Sequence, residues 1–243
     1  MRSSLEIYDL ATGKSRVVLQ SDKVFEAPNW SPDGKWLLIN QEGHLFRVPL
    51  DNPSMQQIDL GGLAHCNNDH GITPDGLTII LSSHQDKQGS EIYLVPVTGG
   101  KPRKVSPTSP SWWHGISPDG KTLTYVAARC GSRVIDVHTQ AITGGAETRL
   151  TWGEGHCDGP DYSPDGKSIY YNCDRDGHAQ IWVMAADGAG QRKLFADEHV
   201  NWFPHVSPDG RHLLYLAYPP GTLGHPPDLD VALVLADPDG GSR

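Results

Sequence analysis

The chain lacks any cluster of positive charge: its 20 Lys and Arg are scattered among 29 Asp and Glu, for a formal net charge of −9 at pH 7. Binding a phosphate backbone draws on released counterions and takes a run or patch of cationic side chains, so a nucleic-acid partner is not expected. Long apolar runs are absent as well. No stretch approaches the ~20 residues that a membrane-spanning helix needs, and Met1-Arg2-Ser3-Ser4 leads into a strand-like run without the apolar segment of a secretory signal. The expectation is a cytoplasmic protein with no membrane partner. The four cysteines, Cys66, Cys130, Cys157 and Cys173, show no Cys-x-x-Cys spacing, which favours reduced, mostly buried thiols over a disulfide framework or a zinc ribbon. Also missing are a Gly-x-Ser-x-Gly elbow, a phosphate-binding Gly loop and a His-Glu-x-x-His helix, so no nucleophile or metalloprotease constellation stands out.

What the chain has in abundance is one short phrase. Ser31-Pro32-Asp33-Gly34, Thr73-Pro74-Asp75-Gly76, Ser117-Pro118-Asp119-Gly120, Ser163-Pro164-Asp165-Gly166 and Ser207-Pro208-Asp209-Gly210 start 42, 44, 46 and 44 positions apart, a near-constant period that means a repeat architecture. Pro presets the backbone of the second turn position, Asp bonds its own following main chain and Gly supplies positive φ. Each phrase therefore predicts a tight reversal between two strands, A and B. A short apolar or aromatic stretch precedes the turn (Pro28-Asn29-Trp30, Pro160-Asp161-Tyr162) and a strand-like run follows (Lys35-Trp36-Leu37-Leu38-Ile39, Leu213-Leu214-Tyr215-Leu216). A third run, C, and a second Gly-containing turn come next, as in Ile181-Trp182-Val183-Met184 before Asp187-Gly188, then a fourth run, D, such as Gln191-Arg192-Lys193-Leu194. Four antiparallel strands in a unit of this length predict a propeller blade. The expectation is an all-β protein forming one domain over residues 1–243, with repeats near 26–60, 68–106, 111–151, 158–195 and 202–243.

The succession of an aromatic residue, Ser-Pro-Asp-Gly, a strand, an Asp-Arg-Asp-Gly turn and an Ile-Trp strand is complete in Tyr162-Ser163-Pro164-Asp165-Gly166, Asp174-Arg175-Asp176-Gly177 and Ile181-Trp182-Val183-Met184. It resembles the TolB-like β-propeller repeat family, over nearly the whole chain. The resemblance implies six blades, closed by outer strands from the N-terminus and inner strands from the C-terminus. Leu5-Glu6-Ile7-Tyr8 and Arg16-Val17-Val18-Leu19, within residues 4–20, read as the outer pair. No inner pair follows the last third-strand run, which leads directly into Asp237-Pro238-Asp239-Gly240. The expectation is a TolB-like six-bladed frame of four-stranded antiparallel blades with an incomplete last blade. A closed five-bladed ring is the alternative, and an open blade edge would be available for self-association.

Blade topology sorts the loops, because each strand reverses the one before it. The A-to-B and C-to-D turns share one side and the B-to-C and D-to-A connections share the other. Ten of the 12 histidines fall on or near this second side, all but His138 and His212. His70 and His114 each sit three residues before their turn Thr or Ser, whereas His205 sits two before and should point the other way along a strand. With His156 they are the candidate ligands of a divalent transition metal; such a site needs three or four donors meeting at one point. Glu26, Asn68, Trp112, Asp158 and Trp202 occupy one equivalent position in the five repeats. Flat aromatic faces beside amide and carboxylate groups suit a saccharide or peptide, so these five are the candidate channel mouth. Trp30, Trp36 and Trp182 are expected to fill gaps between blades, and the proline-rich Tyr218–Asp228 loop is a candidate wall or lid.

Two functions compete. The first is a non-catalytic scaffold presenting the His- and Trp-rich loop face to a protein, peptide or saccharide, which the TolB-like resemblance and the missing catalytic set both favour. The second is a metal-dependent lyase or hydrolase of polysaccharide fragments, because Trp113-His114 ahead of Ser117-Pro118-Asp119 is faintly similar to oligogalacturonate lyases, propellers with a His-bound metal in the channel. No Arg or Lys stands clearly at the mouth to neutralise a uronate. Neither a cofactor nor an enzymatic activity is assigned by the sequence.

Overall fold

Each Ser-Pro-Asp-Gly phrase folds into the same hydrogen-bonded reversal in a computed structural model, which describes residues 2–85 and 89–241. The ends of the expected 1–243 domain, at residues 1, 242 and 243, lie outside the described residues. In the first copy the Ser31 hydroxyl donates to Asp33 Oδ1 (2.7 Å) and accepts from the Trp36 amide (3.1 Å), while Asp33 Oδ1 also accepts from the Lys35 amide (3.1 Å). The Gly34 amide closes the turn onto the Ser31 carbonyl at 2.8 Å, and Gly34 takes φ +70°, which favours glycine. Thr73, Ser117, Ser163 and Ser207 repeat the hydroxyl-to-Asp bond at 2.6–2.7 Å. A hydroxyl, a carboxylate and a glycine thus satisfy the turn's polar groups locally, whatever surrounds it.

The chain packs as two compact units that divide after Ser106. In the first, a hairpin of β1 (Ser3–Asp9) and β2 (Lys14–Ser21) precedes blade 1, made of β3 (Phe25–Trp30), β4 (Trp36–Gln41), β5 (His44–Pro49) and β6 (Gln56–Gln57). Blade 2 follows as β7 (Cys66–Ile72), β8 (Thr78–Ser83), β9 (Glu91–Pro96) and β10 (Arg103–Lys104). All six residues of β4 are buried. Side chains of a strand alternate between faces, and here both faces are covered. Leu37 and Ile39 pack with Leu5 and Val18 of the hairpin, whereas Trp36 and Leu38 pack with Ile79, Leu81 and Val95 of blade 2. Each such aliphatic side chain contributes roughly 1.5–3 kcal/mol through burial, which is why B strands read as near-continuous apolar runs.

In the second unit, blade 3 comprises β11 (Ser111–Ile116), β12 (Thr122–Ala127), β13 (Asp136–Ala141) and β14 (Glu147–Arg149). Blade 4 comprises β15 (Cys157–Tyr162), β16 (Ser168–Cys173), β17 (Gln180–Ala185) and β18 (Arg192–Lys193), and blade 5 comprises β19 (Val200–Val206), β20 (Leu213–Tyr218) and β21 (Ala232–Ala236). Val126 and Val137 pack with Ile169, Tyr171 and Met184 between blades 3 and 4, and Tyr170, Ile181 and Val183 pack with Leu213, Tyr215 and Ala236 between blades 4 and 5. The Asp174-Arg175-Asp176-Gly177 turn joins β16 to β17 as expected. Its Arg175 guanidinium lies 4.5 Å over the Trp182 ring and bonds Glu154 Oε2 at 2.7 Å.

Four expectations are corrected. The described residues form five blades, not a six-bladed frame: β1 pairs with β2 alone, and the hairpin spends its apolar face on blade 1. This count is that of the five-bladed alternative. Blade 5 is the incomplete one, with three strands, and on its face turned away from blade 4 Leu214 and Leu216 pair with Leu235 and Leu233. Cys157 and Cys173 are not free thiols but form a disulfide between directly opposed residues of β15 and β16. Trp30 falls in the outward register of β3 and is half exposed, while Trp36 and Trp182 fill interblade gaps as expected.

Candidate functional site

The five repeat-equivalent residues owe their setting to a β-bulge that recurs in the first strand of every blade. Register shifts fall between Glu26 and Asn29, Cys66 and His70, Trp113 and Gly115, Asp158 and Asp161, and Trp202 and His205. A bulge places extra chain against one partner residue and re-aims the side chains beside it. In blades 1, 4 and 5 it is made by a left-handed residue directly after the candidate: Ala27 (φ +51°), Gly159 (φ +59°) and Phe203 (φ +53°).

In the second unit the bulges gather a polar and aromatic cluster. Asp158 accepts from His114 Nε2 at 2.9 Å through Oδ1, lies 3.6 Å from His156 Nε2 through Oδ2, and takes its neighbour Gly159's amide at 2.8 Å. Burial pushes the Asp158 carboxyl up, yet the charge and hydrogen bonds of His114 and His156 outweigh it and hold the group well below the usual carboxylate range. The same bond with Asp158 raises His156 above an ordinary imidazole, against the opposing effect of burial. An ionised carboxylate bracketed by two imidazoles is the result. Around it, His156 meets the Trp202 ring edge-on at 6.2 Å, Phe203 stacks on His114 at 6.0 Å, and His225 stands against Trp202 at 4.8 Å and Phe203 at 5.0 Å. His225 arrives on the proline-rich loop, so that segment does form a wall of the cluster.

Blades are stitched together through the same bulges. The Phe203 amide donates to Asn172 Oδ1 at 3.0 Å, and His205 bonds Asp161 Oδ2 at 2.9 Å. In the first unit Asn29, equivalent to Asp161, donates to the carbonyls of Ala27 (2.9 Å) and His70 (3.0 Å).

The candidates therefore separate by role. Asp158 and Trp202 are joined in one cluster, Trp202 as its buried floor with an Nε1 that has no hydrogen-bond partner among the described residues. Trp112 instead packs against the core between blades 3 and 4. Glu26 and Asn68 line a cavity of the first unit. The four candidate metal ligands are not brought together. His114 and His156 share Asp158, His205 is turned to Asp161 as its two-residue offset implied, and His70 is enclosed in the first unit, its pKa pushed down to about 4 by burial. Among the described residues no group of three or more His, Cys, Asp or Glu side chains is placed to hold a metal ion. Sequence inspection missed Asn40, Asn172, Phe203 and His225. The two asparagines carried a usable signal: each interrupts a B-strand apolar run nine residues after its turn serine.

Repeated four-stranded antiparallel sheets, each opened by one kind of turn and bulged at one position, define a β-propeller. Comparison with known proteins agrees. The TolB beta propeller domain family matches residues 108–224, and a protein of Agrobacterium fabrum strain C58, itself described as uncharacterized, is 49% identical over 243 residues, covering 100% of this chain and 82% of the relative. The chain belongs to the TolB-like β-propeller family. A solved structure of a putative TolB from Agrobacterium tumefaciens is 49% identical with a TM-score of 0.96, covering 100% of this chain and 87% of that one. TolB from Acinetobacter baumannii superposes with a TM-score of 0.79 at 19% identity over 98% of this chain and 57% of the other. An oligogalacturonate lyase solved with manganese does so with a TM-score of 0.65 at 16% identity, over 98% and 70%. At these last two identities the likeness shows the fold alone.

Proposed function

We propose that the protein is a non-catalytic binding scaffold whose second unit receives a peptide segment of a partner protein on the His114–Asp158–His156 cluster. The observation that carries this is how the cluster is committed: Asp158 Oδ1 already takes His114 Nε2 at 2.9 Å and the Gly159 amide at 2.8 Å, and Oδ2 faces His156 Nε2 at 3.6 Å, so the carboxylate orients two imidazoles of the rim and is not paired with a nucleophile. What the cluster offers outward is the half-buried His156 ring, the exposed His225 ring and the partly exposed Phe203 ring, seated over the buried Trp202. Rigid aromatic faces beside oriented N–H donors give contact area with little loss of side-chain freedom, which suits an extended peptide.

The test is selection of a displayed random-peptide library on the full chain, with the winning peptides remeasured by calorimetry. Peptides from a genuine site should lose about tenfold in affinity with His156→Ala or His225→Ala, roughly the worth of one charge-assisted hydrogen bond. Peptides indifferent to both variants would refute the placement. Release of unsaturated uronate from oligogalacturonate by the full chain would refute the non-catalytic character.

A further inference from the structure

The first unit holds a cavity of about 560 Å³ between blades 1 and 2, lined among others by Asp22, Glu26, Asn40, Glu42, Cys66 and Asn68. Glu26 stands before the Ala27 bulge of β3 and pairs across the sheet with Asn40 of β4. Glu42 occupies the two-residue turn that joins β4 to β5, where both Glu42 (φ +49°) and Gly43 (φ +78°) are left-handed. This is the hairpin turn that matches strand twist.

Two observations point to an occupant. The first is electrostatic. Three carboxylates face one ammonium, and that ammonium, Lys23 Nζ, is spent on Glu42 at 2.6 Å. Asp22 and Glu26 have no ion pair among the described residues. Buried Cys66 adds no further negative charge, its thiol kept protonated by a pKa pushed up to about 12. The second is an unmet acceptor: Asn40 is only 5% exposed, and its Oδ1 has no hydrogen-bond partner among the described residues. A buried amide oxygen left in that state is destabilising, and a donor that reaches it recovers the loss. The acidic side chains are not converged for a metal ion, since no group of three His, Cys, Asp or Glu among the described residues could hold one. The volume lies within the roughly 300–1,000 Å³ of small-molecule sites.

We infer that this cavity binds an ammonium or guanidinium group, whose N–H donors go to the Glu26 carboxylate and the Asn40 amide oxygen, with Asp22 adding field. The group belongs either to a Lys or Arg side chain of a peptide or to a free polyamine. This site lies in the other unit from the cluster proposed above and stands whether or not that cluster binds peptide.

Calorimetric titration of the full chain at low salt tests it, with N-acetyl-lysine methylamide, N-acetyl-arginine methylamide, spermidine and the uncharged N-acetyl-norleucine methylamide as probes. At least one charged probe should saturate and the norleucine compound should not. The tighter of the amino-acid and polyamine arms identifies the source. Glu26→Gln should weaken the best probe about fivefold, the upper range for a partly exposed ion pair, and Asp22→Asn should weaken it less. Both side chains are exposed, so both variants should fold. Glu198→Gln, the same change of net charge in the second unit, should bind as the parent does. No saturation by any charged probe, equal binding of norleucine, or equal weakening by Glu198→Gln would each overturn the assignment.

Discussion

Replacing Gly159 by Ala should destabilise the second unit by about 3 kcal/mol, from two separable effects. Gly159 sits at φ +59°, where an L side chain is strained by roughly 1–2 kcal/mol. Part of this is returned, because Ala has less backbone freedom to lose from the unfolded chain, about 0.4–1 kcal/mol. The larger effect is steric. A β-carbon there would lie 2.8 Å from Phe203 Cδ1, 2.9 Å from Asn172 Oδ1 and 3.2 Å from Phe203 Cα, well inside the roughly 3.5–4.0 Å at which carbon atoms attract. Phe203 cannot retreat freely, since its amide is the donor to Asn172 and its ring is held between His114 and His225. Forcing the pair apart costs about 1–3 kcal/mol of overpacking and threatens a hydrogen bond worth about 1 kcal/mol. For a chain of this length 3 kcal/mol lowers Tm by roughly 6–12 °C. Gly190→Ala isolates the backbone part, because Gly190 has nearly the same φ, +64°, with nothing within 4 Å of an added β-carbon. Thermal melts followed by tryptophan fluorescence would compare the two. A Gly159→Ala protein that melts no lower than Gly190→Ala would refute the close approach of blades 4 and 5.

Two further outcomes follow from titratable groups. His70 is wholly buried, and burial holds its folded pKa at about 4, below the ordinary imidazole value, so the unfolded chain binds more protons between about pH 4 and 6.5. Stability is therefore lost as pH falls through that window, by about 2 kcal/mol between pH 7 and 5; urea denaturation should show this loss in the parent and not in His70→Leu, and parallel losses in both would reject it. Thiol titration with Ellman's reagent should count Cys130 alone in the native protein, Cys66 as well in denaturant, and all four cysteines only after reduction. Four thiols in denaturant without reductant would restore the reduced state expected from sequence spacing.

The turns and the repeat-equivalent position were legible because both depend on local chemistry. A hydroxyl two residues before a carboxylate and three before a glycine closes the same reversal in every blade, and a fixed offset from it finds Glu26, Asn68, Trp112, Asp158 and Trp202. What stayed hidden depends on the bulge. Near the turn Tyr162 pairs with Ile169, and that register run straight back would set Cys157 opposite Asp174. The bulge between Asp158 and Asp161 slips the pairing by one residue and sets it opposite Cys173 instead. The histidines failed to converge for a related reason: Asp158 and Asp161, on either side of the bulge, each capture an imidazole from a neighbouring blade before a metal could collect them. Blade number was misjudged because an isolated hairpin and an outer strand pair have the same local pattern, and only the pairing tells them apart: among the described residues no further strand joins β1 or β2.

The Cys157–Cys173 bond falls at the very residue that separates His156 from Asp158. Strand ends ordinarily fray, and a rim built on one would have to be frozen each time something docked. A covalent rivet at this point removes that freedom during folding, so an arriving chain would find the imidazole and carboxylate already in register and would forfeit less entropy on settling there.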